Sequence, residues 1–174
     1  MDANEFLSKM KAIEMHLLDY IANDDENNEE NHQKLEQFLH QNYDDANSLE
    51  RILLLLSKIS NNHHRSLNFF KNIEQIFLMM KNDIINYFTS EQIFNIFYEN
   101  KRIILLLIKN GIITLNQSLA TSIISSKYAT YHYQEYLYPE LKQIMPNIQQ
   151  FEGYDEDEHD KKRCLGENDS FICT

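Results

Sequence analysis

Between Ala3 and Ala22 apolar residues return every three or four positions, at Phe6, Met10, Ile13, Leu17 and Ile21, with Lys9, Lys11, Glu14 and Asp19 between them. That period predicts an amphipathic helix, and Asp2 stands where its carboxylate can accept from a free amide of the first turn. The run 23–31 offers nothing to bury and predicts a solvated loop or a frayed helix start. Leu35, Phe38 and Leu39 then mark a short second helix ending near Tyr43. Asp44 and Asp45 are placed to cap a third, whose Leu49, Ile52, Leu53, Leu56 and Ile59 form one face and whose Leu54 and Leu55 widen it, so that burial on several sides is expected. Asn61 and Asn62 end it.

From Ser66 a further stripe runs through Leu67, Phe70, Ile73, Ile76, Phe77 and Met80 and extends through Ile84, Ile85 and Phe88, as one long helix or two abutting ones. Thr89 and Gln92 have the spacing of a capping box, in which hydroxyl and carboxamide reciprocally satisfy two amides. The helix they open carries Ile93, Phe94, Ile96 and Phe97. Asn100 interrupts the pattern before the aliphatic run 102–110, and Gly111 is placed as a left-handed C-terminal cap. Thr114 is a candidate cap for 115–125. Pro139 at a first turn, followed by Leu141, Ile144 and Met145 and stopped by Pro146, predicts one more helix.

These elements make an all-α chain of about eight helices joined by short links. With 3 glycines and 2 prolines it lacks the turn residues of a many-stranded sandwich or barrel. The segment 51–60 echoes 102–111, with Arg, Ile, three Leu and Lys aligned. Helical hairpins that bury their apolar faces against neighbouring hairpins are the units of solenoids, so an irregular or solenoid-like array is expected over 1–150. Beyond Phe151 the periodicity ends, and an acidic run followed by Lys161, Lys162 and Arg163 predicts a flexible tail over 151–174.

Charge narrows the function classes. A net charge of −11 opposes the phosphate backbone, so nucleic acid is not an expected partner, and a basic protein surface is. The aliphatic run Ile103 to Ile108, flanked by Lys101, Arg102 and Lys109, is far shorter than the ~20 residues of a bilayer span. The N-terminal residues lack the basic and apolar stretches of a secretory signal, which makes a cytoplasmic chain the expectation. Cys164 and Cys173 lie together near the end, where a disulfide would close only a small loop, so free thiols are expected. The 19 asparagines and 20 isoleucines, with no valine, suit an AT-rich coding sequence and are given little weight.

Candidate chemistry is sparse. Adjacent His63 and His64 point in different directions on a helix and read as a polar connection, not a metal site. Cys164, Cys173 and His159 lack a Cys-x-x-Cys pair. A calcium loop begun at Asp155 places Asp160 where glycine is needed and Gly166 where glutamate is needed; one begun at Asp24 fails with Glu29 and Leu35. Scattered Gly111, Gly153 and Gly166 build no phosphate loop, and no Gly-x-Ser-x-Gly elbow presents a nucleophile. No cofactor, metal or catalytic residue is therefore expected. The densest aromatic cluster, Tyr128, Tyr131, Tyr133, Tyr136 and Tyr138, suits either a protein interface or the lid of a core, since tyrosine joins a large apolar ring to a polar tip.

The stretches KISNNHHRSLNFFKNIEQI, IFNIFYENKRIILLLI and YLYPELKQIM resemble the N-terminal helical region of large ankyrin-repeat protein families in anaerobic flagellate protists. In those families a basic link, a GENDSYIC-like motif and ankyrin-type repeats follow; here Lys161 to Arg163 and GENDSFIC at 166–173 stand in the same order, and the sequence stops at Thr174. The resemblance implies a cytoplasmic protein-interaction module without catalytic residues, as a natural short form, a truncated product or an isolated domain. Two expectations follow: a scaffold that binds another protein through helix faces and the Tyr128 to Tyr138 surface, or a structural cap for an ankyrin array. A cryptic metal protein is the least favoured alternative.

Overall fold

The computed structural model describes residues 1–125 apart from 24, 26, 27 and 63–67, together with 142, 143 and 146. Among the described residues the regular structure is seven α-helices: α1 (Ala3–Ile21), α2 (Glu29–Asn42), α3 (Ala46–Asn62), α4 (Phe69–Tyr87), α5 (Ser90–Phe97), α6 (Lys101–Lys109) and α7 (Gln117–Ser125). The stripe after Ser66 is thus a single helix. Of the helix expected after Pro139 only 142 and 143, both helical, and the turn residue 146 are described; the tail and the expected boundary at 150 lie outside the described residues. The chain divides into two units, Met1–Thr114 and Leu115–Thr174.

Local chemistry sets the helix ends of the first unit. Asp2 Oδ1 accepts from the amide of Glu5 at 2.8 Å while Glu5 Oε2 accepts from the amide of Asp2 at 3.2 Å, a reciprocal box that starts α1. The acidic run does more than frame a loop. Asn28 Oδ1 accepts from the amide of Asn31, so α2 starts inside that run with Glu29 and Glu30 in its first turn, where the positive end of the helix dipole favours them. Of the two aspartates before α3, Asp45 carries the cap, accepting from the Ser48 amide at 2.7 Å.

Thr89 and Gln92 form the expected box, at 3.2 Å and 2.9 Å. Gly111 has φ +71°. Around it the amide of Ile112 donates to Leu107 O at 2.9 Å and that of Gly111 to Ile108 O at 3.0 Å, which closes the last turn of α6 and leaves Leu107 and Ile112 buried together at its end.

In the first unit α1 meets α2, α3 and α4; α3 meets α5; and α6 meets α4 and α5. The core is Ile13 and Leu17 of α1, Leu35 and Leu39 of α2, Leu49, Ile52, Leu53, Leu56 and Ile59 of α3, Ile73, Ile76, Phe77, Met80 and Ile84 of α4, Ile93 and Phe97 of α5, and Ile103, Ile104 and Leu107 of α6. Phe77 and Phe97 meet edge to face, with ring centroids 5.3 Å apart. The predicted apolar face of α3 is buried, while Leu54 is half exposed, so this helix is enclosed on most sides but not all.

The echo between 51–60 and 102–111 has a structural counterpart. Ile52, Leu53 and Leu56 are buried, as are Ile103, Ile104 and Leu107 at the aligned positions. The aligned arginines do the same job: the guanidinium carbon of Arg51 lies 4.7 Å from the centre of the Phe6 ring of α1, and that of Arg102 lies 5.3 Å from the centre of the Phe70 ring of α4.

In the second unit Asn116, and not Thr114, caps α7: its Oδ1 accepts from the Leu119 amide at 2.8 Å. The amide of Thr114 instead donates to Ser90 Oγ at 2.9 Å within the first unit. A threonine two residues ahead of the observed cap is too early to reach the orphan amides of a helix beginning at Gln117. No described helix is long and apolar enough to cross a membrane.

Candidate functional site

The C-terminal end of α1, the start of α2 and the first half of α4 enclose a polar cleft of about 590 Å³. The carboxamide of Asn72, on α4, fastens its floor. Asn72 Nδ2 donates to Ile21 O at 3.0 Å and to Asn23 O at 2.9 Å, with Tyr20 O at 3.4 Å. These carbonyls sit where α1 runs out of partners of its own, so a side chain more than 45 residues away in sequence supplies the cap.

On the wall from α1 and α2, the Tyr20 hydroxyl and His32 Nδ1 are hydrogen-bonded at 3.2 Å, with the rings edge to face. Burial holds the Tyr20 phenol above its ordinary pKa. Asn23 Oδ1 accepts from the Asp25 amide, and Asn28 Oδ1 is the α2 cap. On the opposite wall Asn68, Asn72 and Gln75 stand one and two turns apart along α4, and Asn68 makes no side-chain cap bond. The cleft is therefore rich in carboxamides, groups that carry a donor and an acceptor in one plane without net charge.

A second polar cluster joins the C-terminal ends of α2 and α4. The Tyr43 hydroxyl donates to Asp83 Oδ2 at 2.6 Å and lies 2.9 Å from His40 Nδ1. A phenol has one hydrogen, so with Asp83 taking it, His40 donates through Nδ1. Burial and the adjacent carboxylate of Asp83 push the Tyr43 phenol well above its ordinary range. Among the described residues no three His, Cys, Asp or Glu side chains gather as metal ligands.

A third cluster ties α3 to α6. Asn100 is buried, its Oδ1 accepting from the Ile103 amide at 3.2 Å to cap α6 while its Nδ2 donates to Ser60 O at the end of α3. Asparagines thus do specific work at helix ends, beyond what composition alone suggests.

The residues that sequence singled out for interaction, Tyr128, Tyr131, Tyr133, Tyr136 and Tyr138, lie outside the described residues, as do His63, His64, His159, Cys164 and Cys173. The cleft is not among the features that the sequence pattern predicts. The available signal was the polar spacing of Asn68, Asn72 and Gln75, at i, i+4 and i+7, through an otherwise apolar helix. Compared with protein-family models, curated proteins and solved structures, the chain matches none.

Proposed function

We propose that the chain is a non-enzymatic, protein-binding scaffold domain in which helical hairpins stack in a solenoid-like array. The carrying observation is the repeated stacking of arginine on phenylalanine, Arg51 on Phe6 and Arg102 on Phe70, each from a helix onto the helix two places before it.

Several other side-chain links also join helices two places apart, in either direction along the chain. Lys58 of α3 pairs with Glu14 of α1 at 3.5 Å, Asn110 at the end of α6 donates to Glu74 of α4 at 3.1 Å, and Ser57 of α3 donates to Ile96 O of α5. Tyr43 at the end of α2 reaches Asp83 of α4. In this reading α1, α3 and α5 form one row and α2, α4 and α6 the other, an arrangement whose neighbours bury one another's apolar faces and leave long surfaces for a partner.

The exposed Leu7, Met15 and Leu54 are apolar contact points of the kind a partner covers, and the acidic charge favours a basic one. The resemblance to the N-terminal region of ankyrin-repeat families and the cytoplasmic setting belong to the same reading, with Tyr128 to Tyr138 as a further contact surface.

The test is photo-crosslinking with the full chain, carrying a benzophenone side chain at Leu54 or at Tyr131, in extract of the source cell, beside light scattering of the purified chain. A scaffold yields a discrete crosslinked partner and a monodisperse solution. Crosslinks only between copies of the chain, with concentration-dependent aggregation, favour the structural cap and overturn the scaffold.

A further inference from the structure

We propose that the exposed face of α1 pairs antiparallel with the same face of a second copy of the chain, across a twofold axis at Met15. This goes beyond the scaffold reading and does not rest on it.

The helix has two sides. It buries Ile13, Leu17 and Ile21 where it meets α2, α3 and α4. Nearly opposite, at helical steps of three and four, stand Ser8, Lys11, Ala12, Met15, Asp19 and the C-cap Ala22, all exposed, with Leu18 half-buried at the margin. Met15 is the centre of this side. It is 63% exposed, the most exposed large apolar residue inside any described helix. A single exposed methionine needs no partner; the residues around it choose one.

About Met15 those residues match by opposites. Three steps out Ala12 is balanced by Leu18, four steps out Lys11 by Asp19, and seven steps out the small Ser8 by the small Ala22. When two identical helices lie antiparallel across a twofold axis, each residue before the centre faces the residue equally far beyond it on the other copy, and the contact is made twice. Leu18 of each copy then lies over Ala12 of the other, large over small, as interdigitating ridges require. Lys11 of each copy meets Asp19 of the other. A parallel pairing instead sets Lys11 against Lys11 and Asp19 against Asp19, and an unrelated partner has no use for the mirror order.

Charge favours the same face. Among the described residues neither Lys11 nor Asp19 has an ion-pair partner within the chain, and Glu14, one turn from Lys11, is committed to Lys58. With one lysine and one aspartate the face is neutral on a chain of net charge −11, so two copies meet there without local repulsion. From Ser8 to Ala22 the contact runs about 21 Å at ~1.5 Å per residue. One helix length is a small interface, so the dimer is reversible, and an isologous contact closes at two copies.

The test is sedimentation velocity of the full chain over a range of concentrations, with circular dichroism to check that each variant keeps its helix content. The mass is expected to rise with concentration from one chain toward two and no further. Met15→Asp sets a carboxylate against its own image and is expected to leave a monomer. Lys11→Asp and Asp19→Lys each put like charges opposite one another at both ends, and each is expected to weaken the dimer about 10-fold. Mixing those two variants is expected to restore it, since each copy supplies the charge the other lacks.

A chain monomeric at every concentration, a dimer indifferent to Met15→Asp, a mixture no tighter than its two components, or assembly beyond two copies overturns the proposal. Should Met15→Asp lose helix content, the mixture decides alone. A monomer that still crosslinks a discrete partner through Leu54 or Tyr131 leaves the scaffold standing, because that reading needs no second copy.

Discussion

Asn72 Nδ2 lies 3.0 Å from Ile21 O, so the fourth helix closes the end of the first. Its two hydrogens serve Ile21 O and Asn23 O, the nearer two of the three carbonyls around it. Asn72→Ala leaves these half-buried acceptors unpaired and is expected to cost about 1–2 kcal/mol in urea unfolding followed by circular dichroism. Asn72→Asp, which faces carbonyl oxygens with a carboxylate, is expected to cost more than the alanine. An alanine variant as stable as the parent would show that water takes over the cap.

The Tyr43–Asp83 bond makes stability depend on alkaline pH. The phenol of Tyr43 is raised above its ordinary value of 10 by burial first and Asp83 second, so its neutral form is the one the fold favours. The stabilisation is complete below pH 10 and is lost as pH rises from there toward the folded-state value. Melting temperature is expected to fall above pH 10, and Tyr43→Phe to flatten that fall without abolishing it, because the Tyr20 phenol is raised as well. At pH 7 the same substitution is expected to cost roughly 1 kcal/mol, the bond being only partly shielded from water.

Gly111 is the one described residue with a left-handed backbone. A Cβ built there meets nothing nearer than Lys81 Nζ at 3.7 Å, so the penalty of a substitution is conformational and not steric. Gly111→Ala is expected to lower stability by about 1–2 kcal/mol, and Gly111→Asn by less, since asparagine visits this region more readily. Thermal melts of the three proteins under one buffer decide it.

The Phe77–Phe97 contact lies in the core, with both rings essentially inaccessible to solvent. Phe97→Ala is expected to cost about 3–5 kcal/mol. A double-mutant cycle with Phe77→Leu is expected to give a coupling of about 0.5–1.5 kcal/mol from the edge-to-face geometry itself. Simple additivity would mean that the two rings contribute only buried area.

What could be read from the amino acids was whatever is written within four residues. The period of α1 and α3, the Thr89–Gln92 box and the glycine cap of α6 are local, and their residues announce them. The start of α2 was blurred, because Asn28, Glu29 and Glu30 look alike as solvated polar residues and as a capped first turn. Thr114 was the cap expected for 115–125, but threonine and asparagine can both cap, and which residue does so turns on where the first hydrogen-bonded turn closes.

Links between distant residues could not be read. Asn72 to Ile21, Tyr43 to Asp83 and Asn100 to Ser60 each join positions 40 or more apart, and their partners are mostly backbone oxygens that every residue possesses. The cleft inherits that opacity. Its polar positions on α4 were visible, but the walls that face them come from α1 and α2 and exist only once the three helices have packed.

Asn110 stands immediately before Gly111, a pairing at which polypeptides lose ammonia with age as the unhindered glycine nitrogen closes an imide ring on the carboxamide carbon. Here that nitrogen is engaged with Ile108 O, and the carboxamide is held by both Leu106 O and Glu74 Oε2. Folding thus shelters the weakest chemical link of the chain, and a copy that ages while unfolded acquires a carboxylate that must then confront Glu74 when it refolds.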